Sequence, residues 1–349
     1  MIETLILGWP AAPRCWTNRH FCAPFLMQLL GIHHLTAVTA DVSRNHVFYT
    51  QTLGLRLVKK SVNQDDVSAY HLFYADGLAS PGSDLTFFDW PVPNERRGTR
   101  SIVRTGLRVA NEATLRWWVQ HFERVGVKTQ AVAERDGRLT LDFEDFEGQR
   151  LALVVDETGA AAHPWEKSPI PKEHQILGLG PITLSVPELS STEHVLLAVL
   201  NMKRVRQYES RSSVGDKTSQ VYVFQMNQGG PFAELHVMVE PHLPIARQGA
   251  GGVHHVALRT PNAEEYEKWI ERLSELGMSS SGPVNRYYFQ SLYFREPNGI
   301  LFEIATDGPG FAVDEPLETL GERLALPPFL EGRRGEIERG LKPLSTPVS

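Results

Sequence analysis

Apolar and polar positions along this chain fall into a pattern that recurs four times. The run Gly31-Ile32-His33-His34-Leu35-Thr36-Ala37-Val38-Thr39 reads as a strand, and after a polar stretch Val47-Phe48-Tyr49 leads into Leu53-Gly54-Leu55, the glycine-marked end of a helix. Far downstream, Gly252-Val253-His254-His255-Val256-Ala257-Leu258-Arg259-Thr260 precedes a helical pattern from Ala263 to Leu276 that stops at Gly277. Strand-like runs follow in each case: Ala69 to Ala75 and Leu85 to Trp90 in the first, Ser291 to Arg295 and Ile300 to Thr306 in the last. The final two strands are joined by Glu296-Pro297-Asn298-Gly299, in which Pro fixes one φ and Asn-Gly permits positive φ.

Two weaker copies lie between. One has a strand at Gly106 to Val109, a helix from about Glu112 to Val125, and strands at Leu139 to Phe143 and Arg150 to Val155; the other starts near Gly178 to Val186, has a helix around Glu193 to Leu200, and ends in Val221 to Gln225 and Ala233 to Val239. Repetition of this kind predicts an α+β fold of four βαβββ modules. Ala160 to Gln175, rich in Ala, Pro and charge, reads as a linker between pairs of modules. The expected organisation is an extension at 1–28, a two-module domain at 29–160, a linker at 161–176, a second two-module domain at 177–310, and a Pro- and charge-rich tail at 311–349 with a helix at Leu317 to Leu324. The opening segment has no period; it reads either as a loose extension or as a mis-assigned start, with translation beginning at Met27.

Composition narrows the classes. Across 349 residues, 42% hydrophobic and 22% charged positions suit a globular protein, and a net charge of -6 without an uninterrupted basic run offers little to nucleic acid. No apolar stretch reaches the roughly 20 residues of a membrane span. Cys15 and Cys22 both precede the first module, so neither a disulfide framework nor a thiolate metal site is expected in the body, and a cytoplasmic location is expected.

The chemistry concentrates in two His-His pairs at matching positions of the first and last modules. Neighbouring side chains of a strand point to opposite faces, which groups His34 with Thr36 and His255 with Ala257. Glu303 lies inside the apolar run Ile300-Leu301-Phe302-Glu303-Ile304-Ala305, where an ionised carboxylate costs several kcal/mol unless a cation meets it. Two imidazoles and one carboxylate make the facial triad typical of non-haem Fe(II), with positions left open for substrate and dioxygen. The plainer reading pairs Glu303 with Arg286 or Arg295. Aligning Leu85-Thr86-Phe87-Phe88 on Leu301-Phe302-Glu303-Ile304 puts Phe87 where a fourth ligand would come from, leaving the site open. Phe87, Phe88, Tyr288 and Phe302 are available to receive a flat aromatic guest.

These stretches, with His71-Leu72-Phe73-Tyr74, Pro81 to Pro91 and Tyr293 to Asp307, resemble the vicinal oxygen chelate (glyoxalase/bleomycin resistance/dioxygenase) superfamily, and within it the hydroquinone-type ring-cleaving dioxygenases, from about Gly31 to near the C-terminus. The resemblance implies modules paired into two domains, each a curved, open mixed-sheet barrel with helices outside. It implies Fe(II), or Mn(II), on His34, His255 and Glu303, and His33, Thr36, His254, Arg286 and Tyr293 around them. Arg286 and Tyr293 would receive a phenolic substrate and its developing oxyanion, and His254 would act as acid or base. Alternation along the strands turns His33 and His254 away from the metal, so those two roles require a bulge or a strand end; hydrogen bonding between modules is the other reading. The implied reaction opens a para-dihydroxylated ring with O2, with a small aromatic substrate, no nucleic-acid or membrane partner, and a homo-oligomer allowed. The rivals are a glyoxalase-like isomerase or a catechol extradiol enzyme on the same scaffold, and a metal-free sequestering protein.

Overall fold

The computed structural model describes residues 27–344; the expected extension with Cys15 and Cys22 lies outside the described residues, save for its last two positions. All four modules are present. The first holds β1 (Ile32–Thr39), α1 (Val42–Val47, continued by a π-helical turn, Phe48–Thr52), β2 (Arg56–Val62), β3 (Tyr70–Ala75) and β4 (Asp84–Asp89). The second holds β5 (Ser101–Val109), α2 (Glu112–Val125), β6 (Ala133–Arg135), β7 (Arg138–Glu144) and β8 (Arg150–Val155). The third holds β9 (Leu179–Val186), α3 (Ser190–His194, with a π turn at Val195–Val199), β10 (Lys203–Arg211), β11 (Thr218–Gln225) and β12 (Glu234–Val239). The fourth holds β13 (Val253–Thr260), α4 (Ala263–Glu275), β14 (Val284–Asn285), β15 (Phe289–Arg295) and β16 (Leu301–Pro309).

Local chemistry sets the element ends. Asn111 and Asn262 cap α2 and α4 by accepting from the backbone N–H three residues on, and Gly126 and Gly277 adopt left-handed φ of 76° and 69° just beyond the helices. Leu115, Trp118 and Phe122 form one stripe of α2, and Tyr266, Trp269 and Leu273 one stripe of α4; all six are fully buried beneath the sheets.

The modules do not pair in chain order. One eight-stranded sheet runs β14-β15-β16-β13-β1-β4-β3-β2 and joins the first module to the fourth; the other runs β10-β11-β12-β9-β5-β8-β7-β6 and joins the second to the third. The expected division into 29–160 and 177–310 therefore cuts both sheets. The reason is that each sheet is sealed where two first strands meet antiparallel, β1 with β13 and β5 with β9, and a module's own pattern does not say which first strand it will meet. The segment expected to separate two domains joins modules of one sheet, and its Ile170 is part of the core.

The tail also differs from expectation. Leu317–Thr319 is a single 3-10 turn rather than a helix to Leu324, and Leu324 instead bridges to Lys60 at the edge of β2; Pro316 and the run of apolar anchors favour an extended path. Helical turns come later, α5 (Pro328–Glu331) and α6 (Arg334–Gly340). Phe311 and Leu320 pack with Val58, Phe73, Tyr288 and Phe289, so the tail closes one end of the first half-barrel, the curled sheet shared by the first and fourth modules.

Candidate metal centre

β1 is buried at every position because it lies at the middle of its sheet, between β13 and β4. Pairing β1 with β13 sets His34 opposite Ala257 and Thr36 opposite His255, so the two histidines meet on the diagonal with ring centroids 5.5 Å apart, and the parallel neighbour β16 places Glu303 opposite Ala257. Glu303 Oε2 lies 3.0 Å from His255 Nε2 and 3.2 Å from His34 Nε2, and the two ring nitrogens are 3.4 Å apart. Divalent-ion bonds of about 2.1 Å separate ligand atoms by about 3.0 Å in an octahedral arrangement and about 3.4 Å in a tetrahedral one, so these spacings fit an ion. Glu303 is fully buried, and Oε2 makes no properly directed hydrogen bond despite those short distances. Its other oxygen, Oε1, accepts from Ser291 Oγ at 2.5 Å. A buried carboxylate oxygen facing two nitrogens without a hydrogen bond is what a cation-binding cluster leaves in the protein alone.

The first histidine of each pair explains how the second is held. The β1–β13 register slips at His33 and again at His254, which turns both out of simple alternation, as the expected bulges require. His33 Nε2 lies 3.1 Å from the Thr306 carbonyl, which can only accept, so this nitrogen carries the proton. Burial first, then His34, lowers His33 to about 3, which keeps its ring neutral and its Nδ1 bare. That Nδ1, 2.9 Å from His34 Nδ1, accepts the His34 proton, and His34 Nε2 is left with a lone pair directed at Glu303. His254 Nδ1 stands 2.8 Å from His255 Nδ1 in the same relation, and burial likewise holds His254 well below its ordinary range. His254 sits beside Phe88 and Trp90, away from the cavity that opens at the centre.

That cavity, about 470 Å³ counting its open mouth, is lined by His34, His255, Arg286 and Tyr293, with Phe73, Phe88, Tyr288 and Phe289 as aromatic walls. Arg286 Nε donates to Tyr293 Oη at 3.2 Å, and its Nη2 reaches Asp65 at 2.8 Å across the mouth. Burial first, then Glu303, raises the Tyr293 hydroxyl, which therefore stays protonated. Thr36 Oγ1 lies 3.0 Å from His255 Nε2. Thus the predicted residues gather at one place, with His33 and His254 behind the inner three and Thr36, Arg286 and Tyr293 around them. The plainer reading of Glu303 fails: Arg286 pairs with Asp65, and Arg295 donates to Gly299 O.

The fourth position needs correction. Thr36 pairs with Thr86 as Ala257 pairs with Glu303, so Thr86, not Phe87, is the counterpart of Glu303. Phe87 faces the opposite side, against Tyr49 and Tyr74, and Phe302 is core as well. Thr86 Oγ1 bonds Thr36 Oγ1 at 2.8 Å and His71 Nε2 at 3.0 Å. Sequence reasoning missed His71 as a site residue. Its register with Phe88 matches that of Ser291 with Ala305, so His71 leans on Thr86 as Ser291 leans on Glu303. Spacing two from Phe73 in a strand whose partner carries Thr86 was the available signal.

Comparison with known proteins bears on this arrangement. A family model described as the Glyoxalase/Bleomycin resistance protein/Dioxygenase superfamily matches residues 31–153 and 178–304. The chain is 48% identical over 320 residues to a Bacillus subtilis (strain 168) protein named "Putative ring-cleaving dioxygenase MhqA", spanning 91% of this chain and 100% of that one. It is 28% identical over 316 residues to the chlorohydroquinone/hydroquinone 1,2-dioxygenase of Sphingobium indicum, spanning 88% and 95%. A crystal structure of a "putative dioxygenase" from Bacillus subtilis superposes with a TM-score of 0.82 at 33% identity, covering 91% of this chain and 98% of the other.

Proposed function

We propose that this chain, which belongs to the Glyoxalase/Bleomycin resistance protein/Dioxygenase superfamily and within it to the ring-cleaving dioxygenases, opens a para-dihydroxylated aromatic ring with O2 at an Fe(II) held by His34, His255 and Glu303. The observation that carries the metal reading is the fully buried Glu303 Oε2, set 3.0 and 3.2 Å from two imidazole nitrogens with no directed hydrogen bond. The ring-cleaving reading rests on the relatives, and its hydroquinone form on the more distant dioxygenase from Sphingobium indicum. Fe(II) is favoured over a structural ion because three ligands leave open positions; Mn(II) suits the same donors.

When bound, the metal supplies a Lewis-acidic, redox-active centre at which ring and dioxygen are brought together. The chain's own residues do the rest. Phe73, Phe88, Tyr288 and Phe289 form a slot for a flat ring and keep bulk water from its faces. Arg286 and Tyr293, hydrogen-bonded to each other, present a fixed cation and a hydroxyl donor to negative charge growing on the substrate oxygen. His33 and His254 fix the tautomers of the inner histidines, and the acid or base role expected of His254 is disfavoured because its ring lies beside Phe88 and Trp90, outside the cavity lining. Thr86 in the fourth position, hydrogen-bonded to Thr36 and His71, disfavours an isomerase that needs a fourth protein ligand.

The test is anaerobic Fe(II) loading followed by oxygen uptake with hydroquinone, methylhydroquinone and catechol, comparing wild type with Glu303→Gln. Iron-dependent uptake with a hydroquinone, reduced at least about a hundredfold in the variant through loss of a metal ligand, is the expected result. Uptake with catechol alone, or none despite tight iron binding, would defeat the hydroquinone reading.

A further inference from the structure

The second half-barrel has a polar cluster at the place that corresponds to the metal centre of the first. Arg104 on β5 pairs with Thr183 on β9, and Thr183 with His236 on β12, just as His34 pairs with Ala257 and Ala257 with Glu303. A cavity of about 320 Å³, counting its mouth, opens there. Asp136, Glu234 and His236 lie close enough together to hold a cation. Their partners argue against one. Arg138 grips Glu234 through both oxygens at 2.7 and 3.1 Å, Arg206 grips Asp136, with Nε at 2.7 Å, and Arg135 grips Asp142 at 2.9 and 2.5 Å. An incoming cation would meet these guanidiniums and displace one of them.

Arg104 is the guanidinium left over. Its side chain is only 15% exposed, and its nearest carboxylate oxygen, on Asp142, stands 3.6 Å from Nε, outside hydrogen-bonding range. Both oxygens of Asp142 are already taken by Arg135. Glu240, the other acid in electrostatic reach, is occupied by the hydroxyls of Ser185, Ser212 and Ser213. Arg104 Nη1 is buried and unpartnered among the described residues. Withdrawing a guanidinium from water without giving it acceptors is costly, and the acceptor matched to its planar fork is a planar oxyanion. Thr183, whose hydroxyl is a further donor, lines the same cavity directly across from Arg104.

We propose that Arg104 and Thr183 form a binding site for a small planar oxyanion, a carboxylate of formate or acetate size, in the half-barrel that lacks the metal cluster. The two half-barrels share a backbone plan, and the second sets Arg104 where the first sets His34, in a cavity whose charged lining is Arg104, Arg135, Arg138 and Asp136. This site is independent of the dioxygenase reading, since none of its residues lines the other cavity.

Isotopically labelled formate, titrated into the full-length protein at low ionic strength and followed by its NMR linewidth, tests this. Saturable broadening, reversed by excess acetate, is expected in the wild type and in Arg286→Gln. Arg104→Gln should abolish it, and Arg104→Lys, which keeps the charge but loses the fork, should weaken binding about tenfold. Thr183→Val should weaken it several-fold and carries the test should the arginine variant not fold. Broadening that does not saturate, that survives Arg104→Gln, or that disappears in Arg286→Gln would overturn the proposal.

Discussion

His33 and His71 show how much of a site resides in side chains that would touch no ion. His33 accepts the proton of His34 and passes its own to the Thr306 carbonyl, so it decides which nitrogen of His34 is bare. His33→Phe keeps a ring of similar size and removes that acceptor; iron affinity, read by competition with a chelator, is expected to fall about 10–100-fold while the circular-dichroism melt shifts little. Unchanged affinity would mean that Glu303 alone orients the pair. His71 lines the cavity with Nε2 tied to Thr86, and its ring lies against Phe73 and Phe88. His71→Phe is expected to leave iron affinity intact and raise KM for a hydroquinone about tenfold, the worth of one good hydrogen bond in a closed site. A loss of iron instead would assign His71 to support of the metal cluster.

At the scale of elements, the mouth of the cavity is closed by two turns from different modules. The β2–β3 hairpin tip offers Gln64 and Asp65, which bond the Arg286 carbonyl and guanidinium, each at 2.8 Å, just before the left-handed Tyr287 at φ 73°. Asp65 is 71% exposed, so the ion pair is worth at most about 1 kcal/mol. Asp65→Asn is therefore expected to leave thermal stability unchanged and to raise KM by no more than about fivefold, with kcat nearly constant, if its role is to keep Arg286 aimed inward. An equal fall in kcat would show that Arg286 orientation matters in the transition state instead. The bulges at His33 and His254 are the other element-scale device, since without them each pair would send its first histidine to the far face. The sequence contained the conflict between alternation and role, but the slip that resolves it depends on how β1 and β13 meet.

For the whole molecule, the pairing of first with fourth module builds the candidate centre, and the tail secures it. Lys59 is fully buried on β2, ion-paired with Asp314 at 2.7 Å and with Glu315, and 4.7 Å from the Tyr288 ring. Lys59→Met would leave two carboxylates without their cation beneath the tail and is expected to cost about 3–5 kcal/mol in urea unfolding; replacing Glu315 by Leu as well should recover part of the loss. A cost below about 1 kcal/mol would show that the apolar anchors, Phe311 and Leu320, hold the tail without the ion pair. Among the described residues no helix is long and apolar enough to cross a membrane.

Periodicity and repetition were enough to determine the four modules, their helices, three of the four strands in each and the candidate ligands, because alternation, glycine stops and a charged residue in an apolar strand are local signals, whereas β2, β6, β10 and β14 were not located. The same local reading put Phe87 in place of Thr86 and overlooked His71, since a one-residue choice of alignment reverses every side chain of a strand. Only the tertiary structure decided that modules pair first with fourth and second with third, and that the tail is an extended plug. Those outcomes depend on contacts between residues far apart in the chain, where the free energy comes from burying two surfaces together and neither surface alone specifies its mate.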